Sequence, residues 1–421
     1  MARPQPRPED PPGVPARRAA LKVLDAVLRR GSPLEAALAG AGQGLAAPDR
    51  ALAHALAAAV LRRLPDLDRL IDSATRQRLP GESKARTVLR IALAQALVLG
   101  TPPHAAIATV LPLVDGGPRK LVHGVFGTLM RGGAHLPDPP SLPGPVAERW
   151  LAHWGEQAVE AARRAIAEPP PLDLSLRDPG ETALWAERLG GESFLPGHVR
   201  LPARAAVTGL PGYAEGAWWV QDVAASLPAR AIGMGPGLKT GKVLDLCAAP
   251  GGKTLQLAAA GWDVVAVDQS ESRLARLREN LARTELSAEV VRADVLAWEP
   301  DAPADAVLFD APCSATGIFR RHPDVLHRAH PAFIAEMAEL QARLLARAAG
   351  WVRPGGVLVY ATCSLEPEEG ERQVERFLRG RNDLSLLPSL AREGSGANSS
   401  CSPRNRAACA SPSSGSSEQV A

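Results

Sequence analysis

Apolar positions in the first third of the chain recur at helical spacing. Leu21, Leu24 and Leu28 lie on one face of a helix, and Val88, Ile91, Leu93 and Leu97 repeat the pattern. Gly31, Pro33, Pro80, Gly81, Pro102, Pro103, Gly116 and Pro118 fall between such runs. The spacing predicts a bundle of five to seven short helices from Ala16 to about Arg131. Ahead of it, six prolines in residues 1–15 predict a disordered lead. Behind it, residues 132–146 (GGAHLPDPPSLPGPV) read as a linker. A further helix is predicted over Ala147–Ala167, stopped by Glu168-Pro-Pro-Pro171, and Leu172, Leu174 and Leu176 then alternate as in a strand.

From Gly241 the texture changes. Short apolar runs at Lys242–Leu246, Asp263–Val267, Glu289–Val291, Ala306–Phe309 and Gly356–Ala361 alternate with helical stretches from Thr254, over Arg273–Ala282 and over Pro331–Gly350. Strands separated by helices imply βαβ units and a mostly parallel, Rossmann-like α/β sheet. Ligands of such sheets sit at the C-terminal ends of the strands. The tail, residues 391–421, has nine serines among 31 residues and no Leu, Ile, Phe, Trp or Tyr, so it is expected to be disordered. The resulting division is a lead (1–15), a helical domain (16–131), a linker (132–146), an intermediate subdomain (147–235), an α/β domain (236–390) and the tail (391–421).

Composition adds two constraints. The chain has 421 residues, 46% hydrophobic and 22% charged, which excludes a wholly disordered or fibrous protein. Its net charge of +3 is uneven: residues 1–140 carry 19 Lys+Arg against 11 Asp+Glu, a net of +8, and the remainder 29 against 34, a net of −5. A basic helical module on an acidic body suits a polyanionic partner. The five cysteines (Cys247, Cys313, Cys363, Cys401 and Cys409) are odd in number and irregular in spacing, unlike a disulfide framework. No secretory signal and no apolar run of about 20 residues is visible. A cytoplasmic protein with free thiols is expected.

The predicted strand ends carry the chemistry. The first runs into Asp245-Leu246-Cys247-Ala248-Ala249-Pro250-Gly251-Gly252-Lys253-Thr254, where two glycines let backbone N–H groups approach a ligand ahead of a helix N-terminus. A nucleoside-triphosphate loop is a rival, but its first glycine would fall at Cys247. The second strand ends at Asp268, placed to bind ribose hydroxyls. Asp294 closes the third, where a carboxylate can accept from an adenine amino group. Either aspartate alone reads as a helix cap or turn residue; in series they point to a nucleoside. The fourth strand ends Phe309-Asp310-Ala311-Pro312-Cys313-Ser314 and the fifth Tyr360-Ala361-Thr362-Cys363-Ser364, which sets two cysteines toward one pocket. No Cys-x-x-Cys or spaced histidine accompanies them, so zinc is not expected.

This set of motifs strongly resembles the S-adenosylmethionine-dependent RNA (cytosine-C5)-methyltransferases. Trp219-Val-Gln-Asp-Val-Ala-Ala225 is similar to the stretch that precedes their glycine motif, and residues 168–177 (EPPPLDLSLR) resemble their RNA-contacting subdomain. Ala16–Arg30 and Lys120–Arg131 resemble the NusB-type RNA-binding domain of the bacterial member that modifies small-subunit ribosomal RNA. The resemblance covers about residues 15–380.

It implies that S-adenosylmethionine is held by Cys247, Ala248, Ala249, Pro250, Gly251, Gly252, Lys253, Asp268, Asp294 and Asp310. It implies a Cys363 nucleophile that attacks C6 of a cytosine, Cys313 assisting its later elimination, Asp310 on the N3/N4 edge of the base, and Lys253 on the base or its developing charge. Glu366, Glu368 and Glu369 would oppose thiolate formation at Cys363. The expected partner is ribosomal RNA, engaged by a monomer without metal or membrane. The family normally closes its sheet with apolar strands after Leu384, whereas this chain turns Ser-, Arg- and Ala-rich there, with Gly370 where an Asn is common. A frameshifted tail and an exposed sheet edge are expected from that departure. The alternative to an enzyme is an RNA-binding assembly factor with a degenerate methyltransferase body.

Overall fold

A computed structural model describes residues 11–203, 206–233, 240–386 and 408–412. The chain forms two compact units. One holds the residues up to Glu168 together with Ile318–His330, and the other holds Pro169–Gly317 and the residues from Pro331 onward.

The first unit is helical. Among the described residues, seven helices occupy its first 131 positions: Val14–Arg30, Leu34–Ala41, Ala47–Arg62, Leu64–Ser73, Lys84–Leu97, Pro103–Val110 and Gly116–Arg131. Gly31 ends the first in the left-handed region (φ 65°), a conformation that costs glycine least, and its N–H returns to the Val27 carbonyl. Ser83 caps Lys84–Leu97 by accepting from the Arg86 N–H. That helix is central, with Val88, Leu89, Ile91, Ala92 and Leu93 fully buried. It also carries two buried guanidiniums. Arg86 donates to Asp68 (2.9 Å) and Asp72 (2.7 Å), and Arg90 donates to both Asp68 oxygens (2.8 Å each). Buried charge is tolerated there because it is paired.

Residues 132–146 are strapped into this unit rather than free. The Ser141 N–H donates to the buried Asp66 (3.0 Å), and Arg163 donates to the carbonyls of Pro139 and Pro140. The next helix, Gly144–Ala167, turns at Gly155 (φ 78°) and buries Trp150 and Ile166 in the same unit. The division between units therefore falls at Glu168, not at 132–146, and the helix predicted over 147–167 belongs with the N-terminal bundle. A distant segment completes the bundle. The Asp324 carboxylate accepts from the Leu34 N–H, His327 donates to the Leu61 carbonyl (2.8 Å), Arg328 donates to the Gly31 carbonyl (2.8 Å), and the Phe319 ring lies 5.6 Å from Trp150.

The second unit contains two sheets. Strands β1 (Leu172–Leu176), β2 (His198–Leu201) and β3 (Trp218–Val220) form a small antiparallel sheet in the order β2-β1-β3, over Leu174, Trp185, Val199 and Trp218. Strands β4 (Lys242–Leu246), β5 (Asp263–Asp268), β6 (Glu289–Arg292), β7 (Ala304–Asp310), β8 (Val352–Ala361), β9 (Leu384–Leu386) and β10 (Ala408–Pro412) form the main sheet, in the order β6-β5-β4-β7-β8-β10-β9 among the described residues. The strands from β4 to β8 are parallel and helix-covered, as a Rossmann-like sheet requires.

Strand β10 corrects the expectation for the tail. It lies antiparallel between β8 and β9, with Cys409 opposite Val359 and Ser411 opposite Ser385, so β8 does not form an open edge. Backbone hydrogen bonding is indifferent to side-chain polarity, and an Ala/Ser segment can add a strand where a partner edge waits. The frameshift expectation for the rest of 391–421 lies outside the described residues. Among the described residues no helix is long and apolar enough to cross a membrane, and no group of three or more His, Cys, Asp or Glu could hold a metal ion.

Replacing Arg86 by methionine removes one partner from Asp68, which keeps Arg90, and from Asp72, which keeps Arg78. The loss should be about 1–3 kcal/mol, read as a lower urea midpoint for the helical unit; an unchanged midpoint would show that the pairing is energetically idle.

Candidate active site

Strand register decides which loops meet. Leu246 on β4 lies opposite Val267 on β5 and Phe309 on β7, and Phe309 and Asp310 lie opposite Tyr360 and Ala361 on β8. The loops after β4, β5, β7 and β8 thus leave the same end of the sheet.

The β4 loop makes a tight turn into the helix Gly252–Ala259. Cys247 (φ 60°) and Gly251 (φ 106°) are both left-handed, and a Cβ on Gly251 would stand 2.2 Å from Leu277. Asp268 braces this loop. Its carboxylate accepts from the Ala249 N–H (3.1 Å) and the Ser270 N–H (2.9 Å), while Arg273 bonds the Ala249 carbonyl. Asp294 is exposed and accepts from the Leu296 N–H (2.9 Å), a turn-capping bond. Under the loop, Asp245 is fully buried. One of its oxygens accepts from the Thr254 hydroxyl (2.6 Å) and the other has no hydrogen-bond partner. Burial raises the Asp245 carboxyl to about 7, against the opposing pull of Thr254 and Lys253. Burial likewise pushes the Cys247 thiol up to about 12, which fits a packing residue and not a reactive one.

On the other side stand the remaining predicted residues. Lys253 pairs with Asp310 at 2.7 Å. Burial disfavours the ammonium, yet the charge and hydrogen bond of Asp310 hold it above its ordinary value. The sulfurs of Cys313 and Cys363 are 3.3 Å apart. The hydrogen bond from Cys363 holds Cys313 below the usual thiol value against the effect of burial. The same bond, with burial and the charge of Asp310, pushes Cys363 well above it. Two sulfurs this close titrate as a coupled pair, and neither is tied up as a disulfide.

The arrangement is a glycine turn at a helix N-terminus with carboxylates on the next two strand ends, facing two thiols and an ion pair. Comparison with known proteins identifies it. The model of the 16S rRNA methyltransferase RsmB/F family matches residues 238–413, and that of the NusB family matches residues 14–127. Ribosomal RNA small subunit methyltransferase B of Xanthomonas campestris pv. campestris is 36% identical over 91% of this chain and 92% of its own length. The chain belongs to the RsmB methyltransferase family. The Klebsiella pneumoniae homologue is 35% identical over 88% of this chain and 91% of its own length. The crystal structure of PH0851 shares the fold, with a TM-score of 0.68 at 21% identity over 96% of this chain and all of that one.

Membership in the RsmB family makes the chain an S-adenosylmethionine-dependent methyltransferase and sets aside the nucleoside-triphosphate reading of the β4 loop. The residues fit the cofactor: the loop that would hold it turns at Gly251, and the unpartnered Asp245 oxygen lies beneath that loop. Four polar residues around the thiols escape sequence reading as site residues. Gln341 donates to the Pro312 carbonyl (2.8 Å), Tyr360 donates to the Glu369 carbonyl (2.6 Å), and the Ser314 and Ser364 hydroxyl oxygens stand 3.0 Å apart. Only the serines carry a signal, since each directly follows a motif cysteine.

A carboxyl raised from 3.8 to about 7 on folding favours the native state while it is protonated, and that advantage is lost as pH rises toward 7. Asp245→Asn removes the titration. In the absence of cofactor it should raise Tm at pH 8 by several degrees and leave Tm at pH 4 unchanged; equal effects at both pH values would contradict a neutral Asp245.

Proposed function

We propose that this chain methylates C5 of a cytosine in small-subunit ribosomal RNA, with Cys363 as a covalent nucleophile. The observation that carries the reading is the pair of thiols 3.3 Å apart beside the Lys253–Asp310 ion pair. C5 of cytosine is a poor nucleophile until the ring is activated. Having given its proton to solvent, the Cys363 sulfur bonds to C6 as thiolate, and the C5–C6 electron pair moves into the ring toward N3. Asp310 binds the N3/N4 edge, and the Lys253 charge favours both the Cys363 thiolate and the electron-rich ring. Bound S-adenosylmethionine supplies an electrophilic methyl group, held by the loop from Cys247 to Lys253 with Asp268, Asp294 and Asp310. Once C5 carries the methyl, the Cys313 thiolate takes the C5 proton, the C5–C6 double bond re-forms and Cys363 leaves as thiolate. A cytosine reaches such a pocket only by leaving its stack. The NusB-like unit, with a net charge of +8 over residues 1–140, would grip RNA phosphates in a salt-dependent, sequence-blind way.

Transfer of labelled methyl from S-adenosylmethionine to undermodified small-subunit ribosomal RNA tests this. Cys363→Ala should fall to background. Cys313→Ala should accumulate a protein–RNA adduct that survives denaturing electrophoresis, because attack proceeds and release does not. Full turnover by Cys363→Ala would overturn the assignment.

A further inference from the structure

Glu369 is an acid close to the two thiols. It is fully buried, yet no step above uses it. One carboxylate oxygen accepts from the Ser314 N–H (2.8 Å) and from the Gln341 amide (3.1 Å). The other accepts from the hydroxyl of Ser314 and from that of Ser364 (2.5 Å). Ser314 follows Cys313 and Ser364 follows Cys363, so one carboxylate grips the residue after each cysteine. The grip is closed on both flanks. Gln341, donating to Glu369, also donates to the Pro312 carbonyl just before Cys313 (2.8 Å), and the Gly317 N–H donates to the Cys363 carbonyl (2.8 Å). Four donors on one carboxylate form an ordered polar cluster in a site without bulk water.

We infer that Glu369 is a positioning residue: it clamps the Cys313 and Cys363 loops at the separation the two-thiol reaction needs. The assignment rests on the two-cysteine reading above, but the clamp itself can be measured without methyl transfer. Alanine at 369 removes every acceptor and frees the two loops. Glutamine keeps the shape. Its carbonyl oxygen can serve the Ser314 N–H and Gln341, while its amide faces the serine hydroxyls, which can turn to accept.

The full-length Glu369→Ala and Glu369→Gln proteins are compared with wild type in two assays. In methyl transfer, Glu369→Ala should lose roughly 100-fold in kcat with the KM for S-adenosylmethionine within about twofold, and Glu369→Gln should stay within about tenfold of wild-type kcat. In the second assay the proteins are treated with diamide. The two thiols each give up a proton and an electron to form the Cys313–Cys363 disulfide as diamide is reduced to its hydrazine, and the link is quantified by peptide mass mapping. Linking should be about tenfold slower in Glu369→Ala than in wild type, and near wild-type in Glu369→Gln. Should Glu369→Ala fail to fold, Ser314→Ala/Ser364→Ala removes the two hydroxyl arms and should slow linking likewise. Wild-type kcat or wild-type linking in the clamp-deficient protein overturns the proposal. Slow linking in a protein whose substrate is not cytosine would overturn only the proposed function.

Discussion

The parallel pairing of β7 with β8 is the constraint on which the catalytic unit depends. Phe309 opposite Tyr360 and Asp310 opposite Ala361 bring two loops, each carrying a cysteine three positions past Asp310 or two past Ala361, out of the same edge. A slip of one residue would turn every side chain of one strand to the opposite face. It would bury Asp310 or expose Phe309, and part the thiols. The apolar packing of Val307, Phe309, Leu358 and Tyr360, all at most 3% exposed, penalises that slip. A core of branched aliphatic residues and a few aromatics therefore sets the register on which the distance between the two sulfurs depends.

Around those sulfurs the balance of charge is tight. Among the described residues Lys253 is the one ammonium paired there, and it stands against Asp310, with the buried Asp245 behind it. If Asp245 were ionised the pocket would hold an unmatched anion in a medium that solvates it poorly. Burial makes that form expensive and raises Asp245 to about 7, so near neutral pH it is only partly ionised and Asp310 is the principal counter-ion of Lys253. Only six of the 48 basic residues are lysines, and at this position the difference matters. A compact ammonium meets the Asp310 carboxylate as a point charge, without the two-pronged geometry of a guanidinium.

Much of this was legible in the chain because it is local. The β4 glycine turn, the strands β4, β5, β7 and β8, and the cysteines at two strand ends follow from short apolar runs and from residues a few positions away. What was not legible depends on partners far off in sequence. Glu369 sits among Glu366, Glu368 and Glu371, and nothing local separates a buried carboxylate from a solvated one. Strand β10 lies in a segment with no large apolar residue, and only the backbone of β8 and β9 gives it a place. The Pro/Gly stretch 132–146 looks like a linker by composition, but Asp66 and Arg163 supply the hydrogen bonds that hold it.

The segment 318–330 has the widest consequence. It leaves the catalytic unit immediately after Gly317, whose N–H holds the Cys363 carbonyl, and is built into the helical bundle through Asp324, His327 and Arg328 before the chain returns at Pro331. The bundle is therefore not an appendage joined by a single tether, because the chain passes between the units three times. Nor is the helical bundle, whose residues 14–127 match the NusB family, closed by its own end of the chain: thirteen residues drawn from between β7 and β8 supply hydrogen bonds to Leu34, Leu61 and Gly31 that, among the described residues, none before Glu168 provides there.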